Sequence, residues 1–538
     1  MRKIERFFTL IALFSVVFVA GGGIWTVAHR TSEPESHLFP ESKYGTFLAA
    51  QHAIAINDFE TAMSLSDSLQ DTNFPAVANV KTMAAFLNGQ MPENAENLKK
   101  EKNLFSRFAY DAYLVKNGKW DEFHSRHKTE ESALVAPFRI WSAIANNWRT
   151  NTFKYIDGLA TNDSWKSFVR GQIYAELGDI KTAAEHFAKV TPEFMNINDY
   201  LYLMSFYSHH DMSDRAGDLL KQFTSRPTGV FMLDYDKVPD WSVFSGYANQ
   251  LAFSLVQTVS HTNILMHSDM AVLMLRFAQV AAPEFAQNSD SINYYLGQYF
   301  YTNGGNYNVF FEKIDENSPF YLFTVLRNTE KTGDIDNLER ALKNQPLFVP
   351  AINKLVGYYI QQGKKRSALS VVNHALADEG LDYTGRAFFL KSRAYIYYVF
   401  GDYKAAQKDL TDAFYSLIPD AEMYSLQAKI WAAQNKEIEM AYEYTKDLIL
   451  SNPTDILAWD TLGCVVAVRE GLIPALEIME SVGAVAQTHS PLFMHLGDIY
   501  MSLGDKDKAR DAYMRAIDLS DDGLVVVPEI ERKLRKIK

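Results

Sequence analysis

Histidine, cysteine and carboxylate side chains are the groups from which a catalytic or metal site would be assembled, and this 538-residue sequence offers few starting points. His209, His210 and Asp211 are consecutive, and His124 and His127 stand at i and i+3, which on a helix places both imidazoles on one side. A zinc centre needs three or four ligands, and neither group has a further one at matching spacing. The first set therefore reads as polar residues of a turn and the second as surface residues. Gly21-Gly22-Gly23 follows no strand and precedes no Lys-Ser, so it cradles no phosphate. No HExxH, GxSxG or paired-cysteine motif is present, and the single Cys464 cannot form an intramolecular disulfide. No catalytic residue, cofactor or metal ligand is assigned.

What the sequence does carry is a register. Trp459 and Phe493, Leu462 and Leu496, Gly463 and Gly497, Val466 and Tyr500, Ala475 and Ala509, and Met479 and Tyr513 are each separated by 34 residues. Small residues at the eighth and twentieth positions let two antiparallel helices approach, while bulky residues between them fill the gaps. Gly504 closes the first helix of the last unit, because glycine enters the left-handed region without penalty. One such pair cannot bury its own apolar face, so its stability must come from stacking on neighbours.

The same offsets recur along the chain, with roughly ten units clear or fair by the repeat-period criterion. Tyr44 onward has Asn57 at the turn with Phe59 and Ala62 beyond it. Further units carry Gly171, Gly178 and Ala183; Leu203, Asp211 and Ala216; Leu296, Gly297 and Gly304; Leu355, Gly363 and Ala368; and Ala394, Gly401 and Ala406. Between about 77 and 158 helix pairs are placed by periodicity alone. Residues 226–240, RPTGVFMLDYDKVPD, break the rhythm with two prolines and a glycine. Beyond them Trp241 to Val259 reads as a first helix, and Ala271, Leu275, Ala278 and Pro283 restore the second-helix pattern.

The composition is that of an ordinary folded protein, with 47% hydrophobic and 22% charged residues. A net charge of −12 argues against a nucleic-acid surface, which needs a concentrated basic field. The basic residues from Arg532 to Lys538 read as the solvated face of a capping helix. Arg2, Lys3 and Arg6 precede an uncharged run, Phe7 to Ala28, long enough to cross a bilayer. Phe18-Val19-Ala20 makes a poor cleavage site, so an uncleaved anchor is favoured over a cleaved signal, and the positive flank directs the remainder out of the cytoplasm. The expected layout is a signal or anchor at 1–28, a polar linker at 29–40, an N-terminal array at 41–225, an irregular seam with a divergent helix pair at 226–283, a C-terminal array at 284–523 and a capping tail at 524–538.

These residues resemble the tetratricopeptide repeat superfamily, and the layout is similar to that of large exported repeat proteins of alphaproteobacteria. The resemblance implies an all-α, right-handed solenoid whose first helices line a concave groove for peptides or partner helices; it implies no reaction. Carried over position by position, the groove would present Tyr294, Gln298 and Tyr301; Asn353 and Ile360; Phe388, Lys391, Tyr395 and Tyr398; Asp460 and Cys464; and Met494 and Asp498. Tyrosines with a few amides and charges suit peptide binding, although the same aromatics could simply pack along the inner seam. The groove that clamps chaperone carboxyl tails pairs lysine with asparagine, whereas here Lys391 is followed by Tyr395, so that specialised role is not expected.

The reading is thus a non-catalytic scaffold of the bacterial cell envelope that binds protein or peptide partners, touches membrane only through its N-terminal segment, and serves as an accessory subunit of an assembly or export machine. The alternative is an enzyme or metal-binding protein with a site in the irregular 226–240 stretch.

Overall fold

The computed structural model describes residues 43–69, 75–224 except 94, 101–103 and 130, 238–262, and 268–537 except 304, 345–346, 379–380, 382, 416–418 and 486–487. The proposed anchor at 7–28 and most of the 226–240 stretch lie outside these residues. Among the described residues the secondary structure is helical, without strands, and no helix is long and apolar enough to cross a membrane. The chain divides into two compact units. One comprises residues 1–216 and 236–321, the other 217–235 and 322–538.

The repeat register is visible as packing. A Cβ on Gly171, Gly463 or Gly497 would overlap the side chain of Phe187, Met479 or Tyr513 respectively, each 16 residues later on the partner helix. Gly297 stands in the same relation to Phe311, only 14 residues on, because the second helix of that unit is reduced to Asn308–Phe311. The hydrogen that replaces a side chain at the eighth position is therefore what lets the large residue of the second helix lie flat against the first. Ala183, Ala475 and Ala509, at the twentieth position, are fully buried.

The turns between paired helices repeat a second device. Asn57, Gly178, Gly401 and Gly504 all adopt positive φ, and each is followed by an aspartate whose carboxylate accepts from the backbone N–H three residues on. One residue ends the first helix and the next caps the second, satisfying an amide that has no partner within its helix.

In the first unit the helices from Lys43–Ala55 to Ile197–His209 pack largely on their neighbours in sequence. The helices Tyr247–His261 and Asp269–Ala281 depart from that order. Trp241–Val243 is a 3-10 turn, and the expected first helix begins only at Tyr247, after Gly246 at φ 99°. Nor is this pair a step in the stack: Asp269–Ala281 packs on Pro75–Leu87 and Leu104–Lys116, and Tyr247–His261 on Ala136–Ala145 and Ile197–His209. It fills the interior of the unit and is buried almost all round, including Gln250, Gln257 and Arg276. The glutamines are paired across helices, whereas Arg276 bonds Gln279 on its own helix and its Nε has no hydrogen-bond partner. Gln257 Nε2 donates to Asp199 at 2.6 Å, His261 Nε2 lies 2.6 Å from the same carboxylate, and Trp141 Nε1 donates to Ser254 at 2.9 Å.

The expectation that His124 and His127 lie on the surface is corrected here. Both are buried: His124 Nδ1 lies 3.0 Å from Ser142 Oγ and His127 Nε2 lies 3.1 Å from Asp111 Oδ2. Their partners stand on neighbouring helices, and those contacts make an inward-facing imidazole tolerable.

In the second unit the pairs Val349–Gln361/Lys365–Leu376, Tyr383–Val399/Tyr403–Phe414, Ala421–Gln434/Ile438–Ser451, Ile456–Arg469/Leu472–Val485 and Ser490–Leu503/Lys506–Asp518 stack in order. A final helix, Val527–Arg535, covers the last pair with Ile530 buried, and Lys533 Nζ reaches Asp498 at 2.7 and 2.8 Å.

Candidate functional site

The first helices of the second unit bear the residues expected to line a groove, and the C-terminal stretch of the chain returns to them. Tyr395 donates its hydroxyl to the carbonyl of Leu524 at 3.1 Å. Gln361 Nε2 donates to Ser520 Oγ at 3.1 Å and to Asp521 Oδ1 at 3.3 Å, across 159 and 160 residues of sequence. Gly523 (φ 71°) meets Gly357 backbone to backbone, leaving no room for a Cβ on Gly523, and a Cβ on Gly363 would meet Pro528 and Val526. Asp522 fastens the near end, accepting from both the amide and the hydroxyl of Ser490 at 3.0 and 2.7 Å.

Other residues of the expected lining hold neighbouring repeats together. Lys391 bridges to Asp420 at 2.8 Å and Glu422 at 2.9 Å on the following pair. Tyr398 lies 6.5 Å, centroid to centroid, from Tyr395, and burial pushes both phenols up. Phe388 is half-buried, Met494 packs on the C-terminal core, and Asp498 accepts from Tyr513 at 2.6 Å as well as from Lys533. Asn353 is exposed. Tyr294, Gln298 and Tyr301 belong to the other unit, where Tyr294 packs on Phe320, Gln298 is buried and Tyr301 meets Tyr307 edge-on.

Asp460 has the most unusual surroundings. Its carboxylate is fully buried and takes Lys429 Nζ at 2.6 Å on Oδ2 and His495 Nδ1 at 2.8 Å on Oδ1. Cys464, one turn along the same helix, puts Sγ 3.4 Å from His495 Nδ1, and His489 Nε2 stands 3.7 Å from Asp460 Oδ2. Burial alone would raise the Asp460 carboxyl, yet the His495 and Lys429 cations hold it well below the usual range. Burial likewise opposes charge on His495, but Asp460 and Cys464 bring the imidazole up to about 10. Lys429, also penalised by burial, is held above its ordinary value chiefly by Asp460. This is no Cys-His-Asp triad, because a triad uses the two imidazole nitrogens separately whereas Nδ1 here faces both partners.

Asp460 and Cys464 were legible as neighbours on one face; His495 and His489, from the next repeat, were not singled out. The usable signal was the period itself, since 34 residues beyond Asp460 falls beside His495. His209 and Asp211 close the turn as expected, with Asp211 at φ 56° and His210 against Phe206 and Trp241.

Residues 490–522 match the tetratricopeptide repeat family model. No curated protein matches the chain in sequence. Solved structures similar to it include the Cut9–Hcn1 hetero-tetramer of APC/C, at 12% identity over 92% of this chain and 96% of that one with a TM-score of 0.34. Naa15/Naa10 bound to HypK-THB is similar at 13% over 93% and 94%, TM-score 0.31. A tetratricopeptide repeat protein from Parabacteroides merdae is similar at 14% over 54% and 99%, TM-score 0.32. Identities and TM-scores this low say nothing about partners. The glycine-to-ring register and the helix pairs of the second unit give an all-helical repeat fold of the tetratricopeptide type, with the family itself matched at 490–522.

Proposed function

We propose that the protein is a non-catalytic scaffold that binds protein or peptide segments along the first helices of its repeats. One observation carries this reading: a short non-helical stretch, residues 523–526, lies against those helices and is gripped partly through its main chain, with Tyr395 bonded to the Leu524 carbonyl and Gly357 against Gly523. A surface that recognises backbone groups accepts many sequences, and the rigid stack limits the entropy lost on association. In the free chain the occupant is its own C-terminal stretch, and a partner segment would compete for the same donors.

The uncharged Phe7–Ala28 run behind Arg2, Lys3 and Arg6 supports export and tethering at the inner membrane of a bacterium. In that setting the scaffold would act as an accessory subunit of an envelope assembly or export machine. A photo-crosslinking residue placed at exposed Asn353 should capture discrete protein partners from envelope fractions, and one at exposed Tyr415 should not. Equal labelling at both positions, or none at Asn353, would refute the groove as the binding face.

A further inference from the structure

We propose that Asp460, Cys464 and His495 form a buried site for a divalent cation of the zinc class. Asp460 Oδ1, Cys464 Sγ and His495 Nδ1 all lie within 4.8 Å of one another. The Sγ–Nδ1 distance of 3.4 Å suits one edge of a tetrahedron with metal bonds of about 2.3 Å to sulfur and about 2.0 Å to nitrogen. Without an ion one imidazole nitrogen must serve a carboxylate and a thiol together, which a single N–H cannot do well. His489 Nε2 stands 3.7 Å from Asp460 Oδ2 and lies outside this cluster, so the three ligands leave the fourth tetrahedral position open.

The remaining carboxylate oxygen is already engaged by Lys429, an outer-shell donor of the kind that orients a monodentate ligand. Asp460 and Cys464 are one helical turn apart on one helix, and His495 comes from the next repeat, so the ion would tie two repeats together. Mixed sulfur, nitrogen and oxygen donors select zinc or cobalt over calcium and magnesium. Binding would release the protons that the thiol and Nδ1 carry, because thiolate and neutral imidazole are the ligating forms.

The full chain, freed of metal with a chelator and titrated with cobalt(II), decides the matter, because Cys464 is the sole cysteine. The expected result is a thiolate-to-cobalt charge-transfer band that saturates at one equivalent and is displaced by zinc. Cys464→Ser should abolish the band, and His495→Ala should weaken zinc binding at least tenfold, with helical circular dichroism retained. Absence of the band in the unsubstituted chain overturns the site, as does zinc binding of undiminished affinity in both variants. Should Cys464→Ser fail to fold, the spectrum of the unsubstituted chain still settles thiolate ligation.

Discussion

The ring of Tyr513 lies flat over Gly497, with Cδ1 only 2.5 Å from where a Cβ would stand. Sixteen residues and one tight turn separate the two, and the same relation holds between Gly463 and Met479.

Gly497→Ala should therefore destabilise the last repeat even though alanine is the better helix former. Overpacking costs about 1–3 kcal/mol, against a gain of at most about 1 kcal/mol in propensity. Thermal unfolding should shift down by several degrees. Gly217→Ala, which meets nothing within 4 Å, serves as control and should leave the transition unchanged or raise it.

Tyr395→Phe keeps the ring and deletes the hydroxyl that holds Leu524. The bond contributes about 0.5–1.5 kcal/mol, so global unfolding should move little. Hydrogen exchange of residues 520–526 should accelerate about tenfold. Protection equal to that of the unsubstituted chain would mean that Gln361 and Asp522 suffice to hold the stretch.

Lys429→Met leaves Asp460 buried with half its compensation gone. Removing one partner of a buried pair costs about 3–5 kcal/mol, more than any single surface bridge here could. In chelator-treated protein, denaturant midpoints should fall accordingly, whereas Lys446→Met, at an exposed i,i+3 bridge, should be neutral.

Glu176 gives a pH dependence of its own. Burial raises its carboxyl, against the opposing pull of the Gly246 amide at 2.9 Å and of Gln250. The folded state thus prefers the protonated form, and the group's contribution to stability declines as pH rises from the ordinary glutamate range through the raised value. Glu176→Gln can still accept from Gly246 and should melt higher at pH 7. Its advantage should vanish in acid, below the ordinary glutamate range. An advantage that persists there would assign the effect to packing.

Much of the architecture could be read before any coordinates, because a period of 34 residues constrains which side chains meet. Gly497 beneath Tyr513 is such a case. The aspartates that follow the turn residues, such as Asp505 after Gly504, carry the same kind of local signal, because an N-cap is set by adjacent residues. His124 and His127 show the limit. Helical spacing put them on one side, but Ser142 and Asp111, which allow that side to face inward, belong to other helices. For Tyr395 periodicity fixed the face, while its partner Leu524 lies 129 residues away and leaves no local trace. The interior pair at 247–281 repeated the helix pattern faithfully enough to look like one more step in the stack.

The bond between Gln361 and Ser520 joins the first of these five pairs to the residues just beyond the last. Solenoids normally grow by adding each turn to its predecessor, so synthesis and folding can run in step. This clasp cannot. Its two halves meet only when residues 520 and 521 have left the ribosome, after a loop of some 160 residues has closed. Until then the nascent inner face stands empty, and during that interval an outside peptide has its best opportunity to enter.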